Sequence, residues 1–190
     1  MEVNSDKLID QLVNQIKSIR ERGCELKNLP IETLCNRVDD SSWNVLECLE
    51  HVNRYGDYYL NEIALKIKQT THPPQAVFKS GCFGNYAAES MLPKSNGKTN
   101  WPMKTFPKMD PKGSALSKET IDRFVEQMDN LMDLTERSRQ VNLVKTKCKL
   151  TIKWLKFSLG DTLRFMVNHN IRHVQQINKI LDNLENIHCV

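Results

Sequence analysis

The chain has 190 residues, 39% hydrophobic and 26% charged, with a net charge of +4. That suits one domain over residues 1–190, with a core that needs no staples and a composition ordinary for a soluble globular protein. The charge is too mild, and Lys and Arg too widely spread, to argue for nucleic acid, and no apolar run approaches the ~20 residues that cross a bilayer. The opening residues MEVNSDKLID lack the basic and apolar regions of a leader. Six cysteines, at 24, 35, 48, 82, 148 and 189, form no CxxC pair and suggest no disulfide ladder. A reduced, cytoplasmic protein with free thiols is expected, with no nucleic acid and no membrane among its partners.

Periodicity predicts a first helix over 5–22, where Leu8, Leu12, Val13, Ile16 and Ile19 recur at three- and four-residue steps behind a Ser5 cap. Pro30 closes the connection that follows. A second helix is predicted over 44–68. Asn44 and Glu47 fit a capping box, Trp43 can staple onto Cys48, and Val45, Leu49, Val52, Tyr55, Tyr59 and Ile63 form the apolar stripe. Pro73 and Pro74 stop it.

Residues 75–116 lack sustained periodicity and carry four Gly and four Pro. A loop this long is functional or packed on itself, and Phe78, Phe83, Tyr86, Met91, Trp101, Met103 and Phe106 favour packing. Lys94, Lys98, Lys104, Lys108 and Lys112 read as an anion site or as a solvated face. A third helix is predicted over 117–141 behind Ser117, burying Ile121, Phe124, Val125, Met128, Leu131, Met132 and Thr135. Residues 142–158 are ambiguous: an apolar run inside a basic patch, Lys145 to Lys156, reads as a short extension or a strand-like connection. A fourth helix, 161–185, places Leu163, Met166, Val167, Asn170, Val174, Ile177, Leu181 and Leu184 on one side. The expected fold class is all-α, a four-helix bundle with a long crossover between its second and third helices.

The sharpest local feature is His169-Asn-Ile-Arg-His173. Residues four apart share a helix face, so two imidazoles can converge on one ion. The bland alternative is a pair of partly buried histidines satisfied by neighbours. His51 lies at the edge of the second helix's stripe, an edge that a bundle can bring against the fourth helix. His72 adjoins Pro73 in a loop and His188 lies near the end of the chain, so both are poorer candidates. Cys48, one turn before His51, reads either as a fourth ligand or redox group beside the site or as a small core residue. Arg172 reads as a contact for an anionic substrate or as a surface ion pair, and Gln176 flanks the pair. No carboxylate announces itself as a general base, because Glu47 reads as a cap and Glu50 as pointing elsewhere.

Two blocks carry a family resemblance. Ser42-Trp-Asn-Val-Leu-Glu-Cys-Leu-Glu-His51 and Leu159-Gly-Asp-Thr-Leu-Arg-Phe-Met-Val-Asn-His169-Asn-Ile-Arg-His173-Val-Gln-Gln176 resemble the second-helix and last motifs of the DinB/YfiT-like superfamily. Ser80-Gly-Cys-Phe-Gly84 is similar to the loop after the second helix in related members. The resemblance implies a DinB/YfiT-like four-helix bundle, often a homodimer. It also implies one divalent metal ion, Zn or Ni before Fe or Mn, held by His51, His169 and His173. Some members transfer thiols from a low-molecular-weight thiol; others are metal-dependent hydrolases or isomerases.

Three neutral imidazoles leave coordination positions open, which is a catalytic more than a structural pattern. The expected function is therefore a metal-dependent enzyme acting on a small molecule by thiol transfer or hydrolysis. The alternative is a non-enzymatic metal-binding or stress-response bundle.

Overall fold

In the computed structural model, which describes residues 1–92 and 105–188, the long apolar stripes all lie on helices. The first helix, α1 (Ser5–Leu26), runs one turn past its expected end. Its cap is Asn4, whose Oδ1 accepts from the Lys7 N–H at 3.0 Å. Ser5 does not cap, because its hydroxyl donates to the Gln75 carbonyl at 2.6 Å. That bond ties α1 to an antiparallel ribbon of β1 (Glu2–Asn4) and β2 (Val77–Lys79), in which Val3 faces Phe78. A short helix, α2 (Ile31–Cys35), starts behind Pro30 and buries Leu34. The next, α3 (Val45–Gln69), opens with the expected capping box: Asn44 Oδ1 accepts from the Glu47 N–H at 2.8 Å and Glu47 Oε2 accepts from the Asn44 N–H at 3.1 Å.

The stretch expected to lack periodicity contains a ten-residue helix, α4 (Cys82–Met91). Its packing face is Gly84, Ala88 and Met91, while Phe83 and Tyr86 point to solvent. With Met91 its one large apolar side chain, that face offers too little to read as a hydrophobic period. Of the apolar residues expected to pack there, Phe78 and Met91 are buried and Phe83, Tyr86 and Phe106 are exposed. Trp101, Met103 and the lysines at 94, 98 and 104 lie outside the described residues. Lys108 is exposed, and Lys112 Nζ donates to the Asp40 carbonyl at 3.0 Å.

The third long helix, α5 (Glu119–Arg137), starts two residues late, with Ser117 Oγ accepting from the Glu119 N–H. The ambiguous stretch is an antiparallel hairpin, β3 (Lys147–Lys149) against β4 (Lys156–Ser158). It feeds α6 (Leu159–His188) directly.

α1 and α3 each pack against both α5 and α6, and α4 packs along α6. One apolar core fills the space between them, with Ile16, Ile63, Ile121, Leu131, Leu163 and Ile177 wholly buried. Two glycines mark where backbone meets side chain most closely. A Cβ at Gly84 would sit 2.5 Å from Asp161 Cγ, and one at Gly160 would sit 2.4 Å from Phe78 Cε2. Among the described residues no helix is long and apolar enough to cross a membrane, and every described cysteine is a free thiol.

Candidate metal centre

The structure brings His51 of α3 together with His169 and His173 of α6. All three are buried, at 4, 5 and 7% exposure. One nitrogen from each can be chosen so that all lie within 4.8 Å of one another. The ring centroids are 5.3 Å apart for His51–His169, and 4.6 Å apart for both His51–His173 and His169–His173. The four-residue spacing sets the α6 pair on one helix face. The packing of α3 against α6 supplies the third member.

Hydrogen bonds orient two of the rings. His51 Nδ1 lies 2.7 Å from the Met109 carbonyl. A carbonyl only accepts, so Nδ1 carries the proton and Nε2 keeps its lone pair. His173 Nδ1 lies 3.0 Å from Gln176 Oε1, with the same consequence. His169 Nδ1 is buried with no hydrogen-bond partner, and buried polar atoms rarely stay so.

Burial pushes the pKa of His169 and of His173 well below the ordinary histidine value, and the remaining ring charges and Arg172 push the same way. Burial also lowers His51, against a smaller opposing pull from the Met109 carbonyl. All three imidazoles are thus neutral donors at physiological pH. Neutral nitrogens, two with fixed tautomers and one orphaned, are a donor set that fits a divalent ion.

These shifts carry a sign for stability. The unfolded chain takes up protons at histidines below about pH 6.5, and the folded triad resists them. Metal-free protein is therefore expected to lose stability as pH falls from 7 towards 5, by up to about 1.4 kcal/mol per pH unit for each imidazole. Thermal melts of chelator-treated protein across that range measure the slope. His169→Gln should flatten it, and an unchanged slope would reject the assignment.

A cleft of about 360 Å³ opens onto His51 and His173 of the triad. Trp43, Tyr55 and Phe106 form its apolar walls, and Arg172 and Gln176 line it with His51 and His173. The Trp43 ring lies 4.8 Å from His51 and 6.2 Å from His173, so the residue read as a helix staple is a wall of the site. Behind it, Phe165 stacks on His169 at 5.9 Å. Burial lowers the Arg172 pKa. Cys48 is wholly buried in the core, where burial raises its thiol pKa, and it is not among the gathered ligand atoms. His72 sits exposed in its loop, and the His188 side chain lies outside the described residues.

The two acids on α3 nearest His51 are both engaged elsewhere, while Asp110, next to Met109, acts electrostatically on His51. Glu47 caps α3, accepts from Arg37 at 2.6 Å and from the Gly113 N–H at 3.3 Å. Glu50 is held by Arg54 at 2.8 Å and Arg123 at 3.0 Å. Arg54 also donates to the Asp110 carbonyl at 2.7 Å and to Ser114 Oγ at 2.9 Å. These bonds clamp the chain around Met109 onto α3, which is how its carbonyl reaches His51. Sequence reasoning missed Met109 because its contribution is a backbone oxygen.

The start of α6 is pinned by a buried carboxylate. Asp161 accepts from Ser80 Oγ, from the Gly81 N–H at 3.1 Å and from Ser158 Oγ at 2.6 Å. Arg164 Nη1 reaches Asp161 at 3.4 Å, Ser80 Oγ at 3.0 Å and Asn85 Oδ1 at 3.0 Å. The Ser80–Gly84 block and the head of the His169–His173 block, distant in sequence, therefore meet at one residue.

Compared with known protein families, residues 15–177 match the family described as the DinB superfamily. Comparisons with curated proteins and with solved structures gave no match.

Proposed function

This chain belongs to the DinB superfamily, and on that basis we propose that it is a metal-dependent enzyme transferring a thiol to or from a small molecule. The observation that carries the reading is the set of three neutral, buried imidazoles, two of which, His51 and His173, line an open cleft. His51, His169 and His173 would hold one divalent ion, zinc or nickel first. A bound ion of that kind supplies Lewis acidity and lowers the pKa of a thiol or water.

The chain's own groups favour thiol transfer over hydrolysis. Hydrolysis calls for a general base within reach, and none of the described residues lining the cleft is Asp or Glu. Arg172, the lining residue with a permanent charge, would bind an anionic part of the substrate. Trp43 and Phe106 would pack its apolar part and exclude water. Gln176 keeps the His173 lone pair on Nε2 by accepting from Nδ1. The four long helices in this reading form the four-helix bundle of the superfamily, with the site between α3 and α6.

Metal analysis of the purified chain, followed by incubation with low-molecular-weight thiols and chlorodinitrobenzene, tests this. We expect one equivalent of metal per chain and turnover that chelation removes. Stoichiometric metal without metal-dependent turnover on thiol or hydrolase substrates would instead assign a binding or sensing role.

A further inference from the structure

We infer that the β3–β4 hairpin is a docking tip for an anionic lipid surface. Lys145, Lys147, Lys149, Lys153 and Lys156 are all exposed, and no Asp or Glu occurs between residues 142 and 158. With five lysines and no acid, this short stretch carries more positive charge than the chain's net +4.

The tip between the strands is apolar and open. Trp154 is 98% exposed, with Ile152 at 47% and Leu155 at 49%. Trp154 also has φ of 73°, a left-handed conformation that bulky residues rarely adopt. A strained backbone that holds an indole in water gains nothing inside this molecule. The base of the hairpin, by contrast, is fixed. Cys148 and Leu150 are buried, the Tyr58 hydroxyl donates to the Leu150 carbonyl at 3.0 Å, and Tyr59 Oη accepts from the Thr151 N–H at 3.4 Å. The carboxylate of Glu62 is engaged at that base, accepting from the Lys149 N–H at 2.7 Å.

The combination selects one occupant. Tryptophan settles at the headgroup level of a bilayer, short aliphatic side chains enter just below it, and lysines meet anionic headgroups. A nucleic acid would use the lysines but offers little to Ile152 and Leu155. A second copy docked tip to tip would bring both lysine sets together. Such docking departs from the expectation of no membrane partner, which rests on the lack of a spanning segment; a peripheral contact needs none.

Sedimentation of the full chain with vesicles tests the inference. Vesicles of phosphatidylcholine mixed with phosphatidylglycerol should carry the protein down at low salt, and phosphatidylcholine alone should not. Trp154→Ala should weaken partition by at least about tenfold. Joint replacement of Lys149, Lys153 and Lys156 by Gln should weaken it by about a hundredfold. Trp154→Phe should still sediment but lose the blue shift in tryptophan emission. Thermal midpoints and metal content should match the parent, separating lost docking from lost fold. Equal sedimentation with both vesicle types, none with either, or no effect of the lysine changes would overturn the proposal. So would tighter retention of an oligonucleotide than of the anionic vesicles at the same salt, or tip-dependent dimerisation without vesicle binding.

Discussion

Replacing His169 with alanine is expected to weaken divalent-metal binding by well over about a hundredfold, beyond what loss of a group supporting a ligand costs. His169 is the ring whose Nδ1 has no hydrogen-bond partner, and its imidazole contacts those of both His51 and His173. Without it, two donors remain on different helices. Gln176→Ala makes the matching control. It frees the His173 ring without removing a donor, so its effect should fall within about ten- to a hundredfold. Stability should follow affinity. Metal at a hundred times its dissociation constant stabilises the folded state by about 2.7 kcal/mol, or roughly 5–10 °C in thermal midpoint for a chain of this size. That shift should vanish in His169→Ala and shrink in Gln176→Ala. Isothermal titration with zinc and with nickel, paired with melts, reads both. If His169→Ala kept its metal and its midpoint shift, the cluster would be a set of buried polar side chains and the proposed function would lose its basis.

The parts of the site that were legible in the sequence are those set by local geometry. The pairing of His169 with His173 follows from helical spacing, and the start of α3 follows from side chains that cap it within three residues. The helix stripes were legible because burial of one face leaves a period: Leu49, Tyr59, Ile63, Phe124 and Leu163 are all buried as expected. What stayed hidden depends on distant partners. Ser5 looks like a cap until the Gln75 carbonyl takes its hydroxyl. Trp43 sits where a staple belongs, yet its ring faces His51 and His173, more than a hundred residues apart in the chain. α4 leaves no period because Met91 is the one large apolar side chain on its inner face, where Gly84 lets it approach Asp161. His51 is intermediate: its place on the stripe's edge was visible, but its meeting with α6 is a property of packing.

Loss of Asp161 should be the most damaging single change to the fold outside the apolar core. The carboxylate is 1% exposed and joins Ser80, Gly81 and Ser158 to the first turn of α6. Arg164, its ionic partner, is 7% exposed. Asp161→Ala would leave that guanidinium buried with Asn85, Ser80 and a 3.7 Å approach to Glu89. Breaking one half of a buried pair typically costs about 3–5 kcal/mol, a large part of the ~5–15 kcal/mol that holds a domain folded. The double variant Asp161→Ala with Arg164→Met should recover part of that loss, because it removes the stranded charge as well. Urea unfolding would show both effects as changes in midpoint at constant slope. Consequences should reach the metal centre too. His169 lies about 12 Å along α6 from Asp161 by helical rise, so an unpinned first turn loosens the face that carries His169 and His173. Metal affinity should therefore fall in Asp161→Ala, though less than in His169→Ala, and should partly return in the double variant. A single variant within about 1 kcal/mol of the parent would show that this network does not hold α6 in place.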